Sequence, residues 1–212
     1  LKKYLTGIPS ERGRILYEFI LDSNMQNILE LGFAHGKSTL YMAAALDEIG
    51  RGSVITIDKQ NAKERDPNII ALLENVGLKQ YVDPIFANRS YTWELMKLIE
   101  RNTHNNYCKP LFDFCFIDGG HTWDVTGFGF LLVEKLLMPN GWILFDDLAW
   151  TIESSARIPD ARKEQIPEEE RKTAQVGKAF SLLVKQHPNF HNFKDDGWWG
   201  WAQKKPFEEQ SH

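Results

Sequence analysis

The sequence predicts an α/β fold, a mostly parallel sheet doubly wound by helices and closed at one edge by a C-terminal antiparallel hairpin. Three observations carry that expectation. Short apolar runs alternate with segments of helical period from about residue 10 to residue 150. Runs such as FDFCFID (112–118) and GWILFDD (141–147) are apolar throughout rather than alternating, as strands covered on both faces require. Near the end, FHNFKDDGWWGWAQ (190–203) sets two short runs around Asp196-Gly197, a hairpin turn signal.

Taken in order, Pro9, Ser10 and Glu11 open a covering helix within residues 1–24, with Ile15, Leu16, Phe19 and Ile20 on its apolar face. NILEL (27–31) is the first strand, and Met42, Leu46 and Ile49 then keep helical spacing until Gly50 and Gly52 stop it. SVITID (53–58) is the second strand, followed by a helix through Ile69, Leu72, Leu73 and Val76 that Gly77 closes. YVDPIFA (81–87) leads to a helix through Leu95, Leu98 and Ile99; FDFCFID leads to one through Leu132, Val133, Leu136 and Leu137; GWILFDD is the fifth strand. Right-handed crossovers between successive strands make such a sheet parallel. Residues 151–175, rich in Glu, Arg, Lys and Pro, read either as a lid that shapes an acceptor pocket or as a plain solvated loop. Val176, Ala179, Phe180 and Leu183 then mark one more amphipathic helix.

At 212 residues the chain is expected to form a single domain spanning 1–212. Its net charge of -4 offers no basic footprint; the Lys2-Lys3 and Lys204-Lys205 pairs read as solvated ends, so no nucleic-acid partner is expected. Cys108 and Cys115 lie outside any array that zinc would need, and Cys115 reads as a buried small hydrophobe. No apolar run approaches the ~20 residues of a membrane span, and LKKYL lacks the apolar core of a signal peptide, which points to a cytoplasmic chain without a membrane partner. The expected partner is a small-molecule acceptor, with a homo-oligomer left open.

The stretch ILELGFAHGKST (28–39) is the first chemical signal. Ligands of wound sheets lie at the carboxyl ends of the strands, and Gly32 and Gly36 fall in the loop after the first of them, where glycine permits positive φ and close approach of backbone. The spacing is E-x-G-x-x-x-G rather than the GxGxxG of dinucleotide binders. A carboxylate at Glu30 would repel a pyrophosphate and attract a sulfonium, and Asp58 ends the second strand where a carboxylate can take both hydroxyls of a ribose. Together they point to S-adenosylmethionine, and they disfavour an NAD-dependent oxidoreductase.

On ELGFAHGKST, VITIDK, FANRSYT, FCFIDGGHTW and GWILFDD, over about residues 25–150, the chain resembles the class I S-adenosylmethionine-dependent methyltransferases. It is most similar to the metal-dependent small-molecule O-methyltransferases. These include the catechol type and an IDGxH group with macrolide sugar O-methyltransferases and cephalosporin-hydroxylase-like proteins. The resemblance implies a Rossmann-like, seven-stranded sheet. It also implies that the loop with Glu30, Gly32, Phe33, Gly36 and Ser38 meets the methionine moiety, that Asp58 holds the ribose, and that the loop with Asn88 and Ser90 borders the adenine. The common motif has a further glycine where this chain has Ala34.

Asp118 ends the fourth strand and Asp146 with Asp147 ends the fifth, so all are expected at one sheet edge. Carboxylates so close must be protonated, solvated or neutralised, and an all-oxygen set suits Mg²⁺, Ca²⁺ or Mn²⁺. The related families place a divalent ion at these positions; in the alternative, Asp147 caps a turn and Asp118 only touches the cofactor. His121, in DGGH, is expected as general base, at a position that holds a lysine in the catechol type and a histidine in the sugar-modifying type. The resulting expectation is a metal-assisted O-methyltransferase acting on a sugar or catechol-like molecule by direct in-line transfer, with His121 and Asp118 catalytic. The alternative is an S-adenosylmethionine-binding sensor or partner subunit without transferase activity. His35 reads as solvent-facing, and Trp123, Trp150, Trp198, Trp199 and Trp201 as aromatic cover near the site mouth or the terminal hairpin.

Overall fold

The computed structural model describes residues 7–209; the Lys2-Lys3 pair and the LKKYL segment lie outside them. The sheet is built from β1 (Asn27–Leu31), β2 (Ser53–Lys59), β3 (Val82–Ala87), β4 (Phe112–Ile117), β5 (Leu137–Phe145), β6 (Phe190–Asp195) and β7 (Gly200–Lys204). Its order is β3-β2-β1-β4-β5-β7-β6, parallel from β3 to β5 and antiparallel in the last two pairings. The doubly wound, Rossmann-like sheet with its C-terminal hairpin is thus as expected.

Side chains alternate across β1, so Ile28 joins one apolar layer and Leu29 the other. The Ile28 layer packs under α1 (Ser10–Asp22), α2 (Lys37–Ile49) and α3 (Ile69–Val76) through Leu16, Ile20, Met42, Leu46 and Ile69. The Leu29 layer packs under α4 (Tyr91–Arg101) and α5 (Trp123–Leu136) through Leu95, Phe130 and Val133. Register then sets the site. Leu31 pairs with Ile57 and with Ile117, and Ile117 with Phe145. The residues that follow these, namely Gly32, Asp58, Asp118 and Asp146, therefore fall in one row at the carboxyl edge of the sheet, Asp58 still within β2.

Several local expectations change. Ile15 and Val76 are exposed, because each lies at the edge of its helix's apolar stripe and its neighbours fill the sheet contact. Leu137 begins β5 instead of ending the preceding helix, and that strand starts before Gly141. A two-stranded ribbon, Thr103–His104 against Tyr107–Cys108, was not anticipated; Asn105 and Asn106 at φ 51 and 63 turn it. Lys204 is no solvated end: it is 5% exposed, with Nζ 2.9 Å from Glu134 Oε1 and donating to the carbonyl of Leu137. Residues 151–175 carry α6 (Asp160–Lys163) and α7 (Glu168–Lys172), each entered from a proline, with acidic residues in the first turn and basic ones in the last. The last helix, α8 (Gln175–Ala179), widens into a π-helical turn over Phe180–Val184. Among the described residues no helix is long and apolar enough to cross a membrane.

Candidate active site

The glycine loop is shaped first by the protein around it. Gly32 has φ 91, and a Cβ there would lie 2.2 Å from the carbonyl oxygen of Asp118, so β1 and β4 can diverge this closely only over a glycine. Gly36, also at φ 91, would drive a Cβ to 2.8 Å from Ile69 Cγ1. Ala34 has φ 48, a left-handed conformation that glycine adopts more readily.

Glu30 does not line the cavity described below. It is 0% exposed, and its carboxylate accepts from the hydroxyls of Ser38, Thr39 and Thr56. Burial pushes its pKa up to about 7, against the lowering effect of those donors. Glu30, expected from sequence to attract the ligand by its charge, here ties the start of α2 to β1 and β2. Ser38 spends its hydroxyl on Glu30, and Phe33 is buried edge-on against Phe86 at 5.6 Å. From this loop, Ala34 reaches the cavity described below.

Asp58 holds the loop from the next strand. Its Oδ2 accepts from the Ala34 backbone at 2.8 Å and from Arg65 Nη1 at 3.1 Å, and Oδ1 accepts from Lys59 N at 2.7 Å. Oδ1 retains capacity for one ligand hydroxyl, whereas Oδ2 is free for a second only if Arg65 moves.

At the ends of β4 and β5 the carboxylates gather around a cavity of about 780 Å³, lined by Ala34, Asp118, His121, Asp146, Asp147 and Trp150 among others. Asp118 has its pKa raised well above the usual carboxylate range, by desolvation first and then by Asp146, Asp147, Glu30 and Asp58. Asp147 sits at φ 63, an uncommon conformation for a non-glycine residue, with its carbonyl bonded by Trp150 N at 3.0 Å. Its Oδ2 lies 2.7 Å from His121 Nε2, and the Trp150 ring covers the imidazole at 4.7 Å between centroids. Thr126 fixes the DGGH loop by donating to Gly120 O at 2.7 Å.

The expected aspartate ligands are joined by a histidine. Donor atoms of Asp118, His121 and Asp147 lie within 4.8 Å of one another and could hold a metal ion; Asp146 is outside that set. One of its oxygens already accepts from the Trp199 indole at 2.9 Å and from Asp147 N at 2.7 Å, and burial followed by the Asp147 charge raises its pKa to about 6. Trp199, read from sequence as cover, thus carries a polar role from 53 residues away.

Other expected residues stand apart. Ser90 lines a separate groove of about 600 Å³ beside Trp93 and Phe128, and Asn88 is exposed at the end of β3. His35 is half-buried, with Nδ1 3.1 Å from Pro67 O, rather than solvent-facing. Trp123 borders a third cavity with α7, while Trp198 lines the central one. Sequence reading missed two basic residues on that central cavity, Arg12 from the covering helix and Arg157 from the 151–175 connection. No motif marks either of them.

Comparison with known proteins agrees with this fold. An Arabidopsis thaliana protein named, by inference, a caffeoyl-CoA O-methyltransferase is 27% identical over 160 residues, 74% of this chain; the chain spans 62% of that relative's length. Among solved structures, an O-methyltransferase from Bacillus cereus in complex with S-adenosylhomocysteine superposes with TM-score 0.66 at 20% identity, over 94% of this chain and 83% of its own. The O-methyltransferase TomG from Streptomyces achromogenes, involved in tomaymycin synthesis and solved with S-adenosylmethionine, gives 0.64 at 15% identity, over 94% and 82%. Residues 29–148, which run from β1 through Asp118, His121 and Asp147, match the family described as a methyltransferase domain, and the chain belongs to that family.

Proposed function

We propose that the chain is an S-adenosylmethionine-dependent O-methyltransferase acting on a small hydroxylated molecule such as a sugar or a catechol. The carrying observation is that Ala34 of the glycine loop and the Asp118, His121 and Asp147 cluster line one cavity. The cofactor reading draws support from the ligands of the two solved relatives and from Asp58, whose Oδ1 can accept a ribose hydroxyl. When bound, the cofactor supplies the electrophilic methyl.

The chain's own residues would do the rest. His121, held by Asp147 at 2.7 Å, is the group to take the acceptor's proton, since a base oriented by a carboxylate is the working arrangement for general-base catalysis. Trp150 shields the imidazole from bulk water on one face. Asp118 lines the same cavity, and its backbone carbonyl is what closes on Gly32 of the glycine loop.

A second reading is favoured by the 4.8 Å grouping of Asp118, His121 and Asp147, in which these residues hold a divalent cation. They fit one, because a cation offsets both the desolvation and the neighbouring charges that raise Asp118. The mixed oxygen and imidazole set suits Mn²⁺ better than Mg²⁺ or Ca²⁺, which favour oxygen alone. Such an ion supplies Lewis acidity to an acceptor oxygen. A His121 nitrogen committed to a cation cannot also take a proton, so the two readings are separable. Methyl transfer from S-adenosylmethionine to catechol would be followed after EDTA treatment and with Mn²⁺ restored. Transfer that survives EDTA assigns His121 as base; transfer that needs Mn²⁺ assigns it as ligand; absence of transfer to neutral and anionic catechols and sugars alike rejects the enzyme reading.

A further inference from the structure

We propose that the methyl acceptor carries an anionic group, a carboxylate or a phosphate, and that Arg12 and Arg157 on the wall of the catalytic cavity recognise it. The inference rests on the O-methyltransferase reading and narrows its substrate class.

The cavity has two chemically different parts. Asp118, Asp146 and Asp147 come from the strand ends, while Arg12 comes from the first turn of α1 and Arg157 from the connection after β5. Arg12 is fixed in place. Its guanidinium carbon lies 4.6 Å from the centre of the Trp199 ring, and Nη1 is shielded and 3.3 Å from Asp196 Oδ2 without hydrogen-bonding geometry. The side chain nevertheless keeps 23% of its surface open, and its other nitrogens form no hydrogen bond among the described residues. A guanidinium immobilised on an aromatic face, with an open edge toward a cavity, is a ready-made fork for a carboxylate or phosphate.

Arg157 supplies the second charge. It is exposed on the cavity wall, and its guanidinium has no ion pair or hydrogen bond among the described residues. Its backbone is held by N–H donation to Ser155 Oγ at 3.3 Å, and Ser155 is itself buried and lines the same cavity. A neutral catechol or sugar would leave Arg157 without a counter-charge and the open part of Arg12 unused, in a site whose remaining charges are carboxylates. An anionic acceptor would use both, and its attraction to them would offset its repulsion from Asp118 and Asp147.

Binding rather than turnover tests this. The full chain, saturated with S-adenosylhomocysteine, would be titrated calorimetrically with catechol, 3,4-dihydroxybenzoate and 3,4-dihydroxybenzyl phosphate. At least one anionic ring is expected to bind ten times tighter or more than catechol, and whichever does so identifies the anion. Arg157→Gln, at an exposed position, should cut that advantage below threefold. Arg12→Lys should reduce it further, while Arg14→Gln, on the far side of the α1 turn beside Glu18, should not. The proposal fails if neither anionic ring binds, if neither outbinds catechol, or if the advantage survives both Arg157→Gln and Arg12→Lys. Methylation of catechol measured in parallel separates the two claims. Methylation without an anion preference overturns this inference alone, and an anion preference without methylation of any ring overturns the transferase reading alone.

Discussion

Two groups of carboxylates share one sheet edge and meet opposite fates. Glu30, the penultimate residue of β1, is sealed beneath the glycine loop and is satisfied by three hydroxyls from α2 and β2. Asp118 and Asp147, one or two residues past their strands, are left partly open to a cavity and to one another. Both arrangements raise a carboxyl pKa through burial, so the shift by itself does not mark function. What separates them is hydrogen bonding. A buried acid saturated by protein donors organises structure, whereas acids that repel each other across a cavity hold capacity for an ion, a proton or a substrate.

The largest effect is expected where the open group meets chemistry. His121→Ala should lower methyl transfer by about 10²–10⁴-fold, the usual contribution of a positioned acid or base, with its melting temperature little changed because the ring is partly exposed. Comparable turnover in the variant would show that the open cluster is as structural as the closed one. Asp118→Asn is expected to be equally inactive and at the same time more stable than the parent near neutral pH, since it removes a desolvated acid from among like charges.

Glu30 should show its role in stability instead. An unfolded glutamate releases its proton near 4.5, whereas the folded one keeps it until about pH 7. Across that window the folded state binds more protons, so stability falls as pH rises, by on the order of 3 kcal/mol in total. Glu30→Gln should flatten this slope in urea titrations at pH 4.5, 6 and 7.5. An unchanged slope would mean that the closed site is not what titrates.

The open cluster should also respond to ions and the closed one should not. At about ten times its Kd, Mn²⁺ should raise the melting temperature by roughly 3–5 °C, and Asp147→Asn should abolish the rise while Glu30→Gln keeps it. A shift of equal size in Asp147→Asn would place the ion elsewhere.

This contrast was only half legible in the sequence. The strands were readable from their apolar runs, and so was the row of Asp58, Asp118 and Asp146, because parallel register aligns residues that each follow a run. The closure of Glu30 was not, since Ser38 and Thr56 acquire their shared partner only when α2 and β2 pack on β1. The engagement of one Asp146 oxygen by Trp199 was hidden for the same reason, and so was Arg12, whose helix reads as plain cover until its first turn is seen at the cavity. Local pattern gives the position of a side chain along the chain. Donors arriving from distant elements decide whether its charge is still available.

Asp58 tests that rule at an intermediate point, and the effect should be the smallest. Two backbone N–H groups and Arg65 already claim three of its acceptor positions, yet its side chain keeps 14% of its surface exposed. If capacity left over is what matters, Asp58→Asn should weaken S-adenosylhomocysteine by about tenfold, close to the ~1–2 kcal/mol of one charge-assisted hydrogen bond. Arg65→Gln should do the reverse and tighten it by roughly two- to threefold, because an ion pair this exposed contributes under about 1 kcal/mol and its removal frees Oδ2 for a second hydroxyl. Calorimetry on the two variants and on the double variant checks this directly. Weaker binding in Arg65→Gln would mean that Arg65 orients Asp58 for the ligand and does not compete with it, which would move Asp58 from the open class into the company of Glu30.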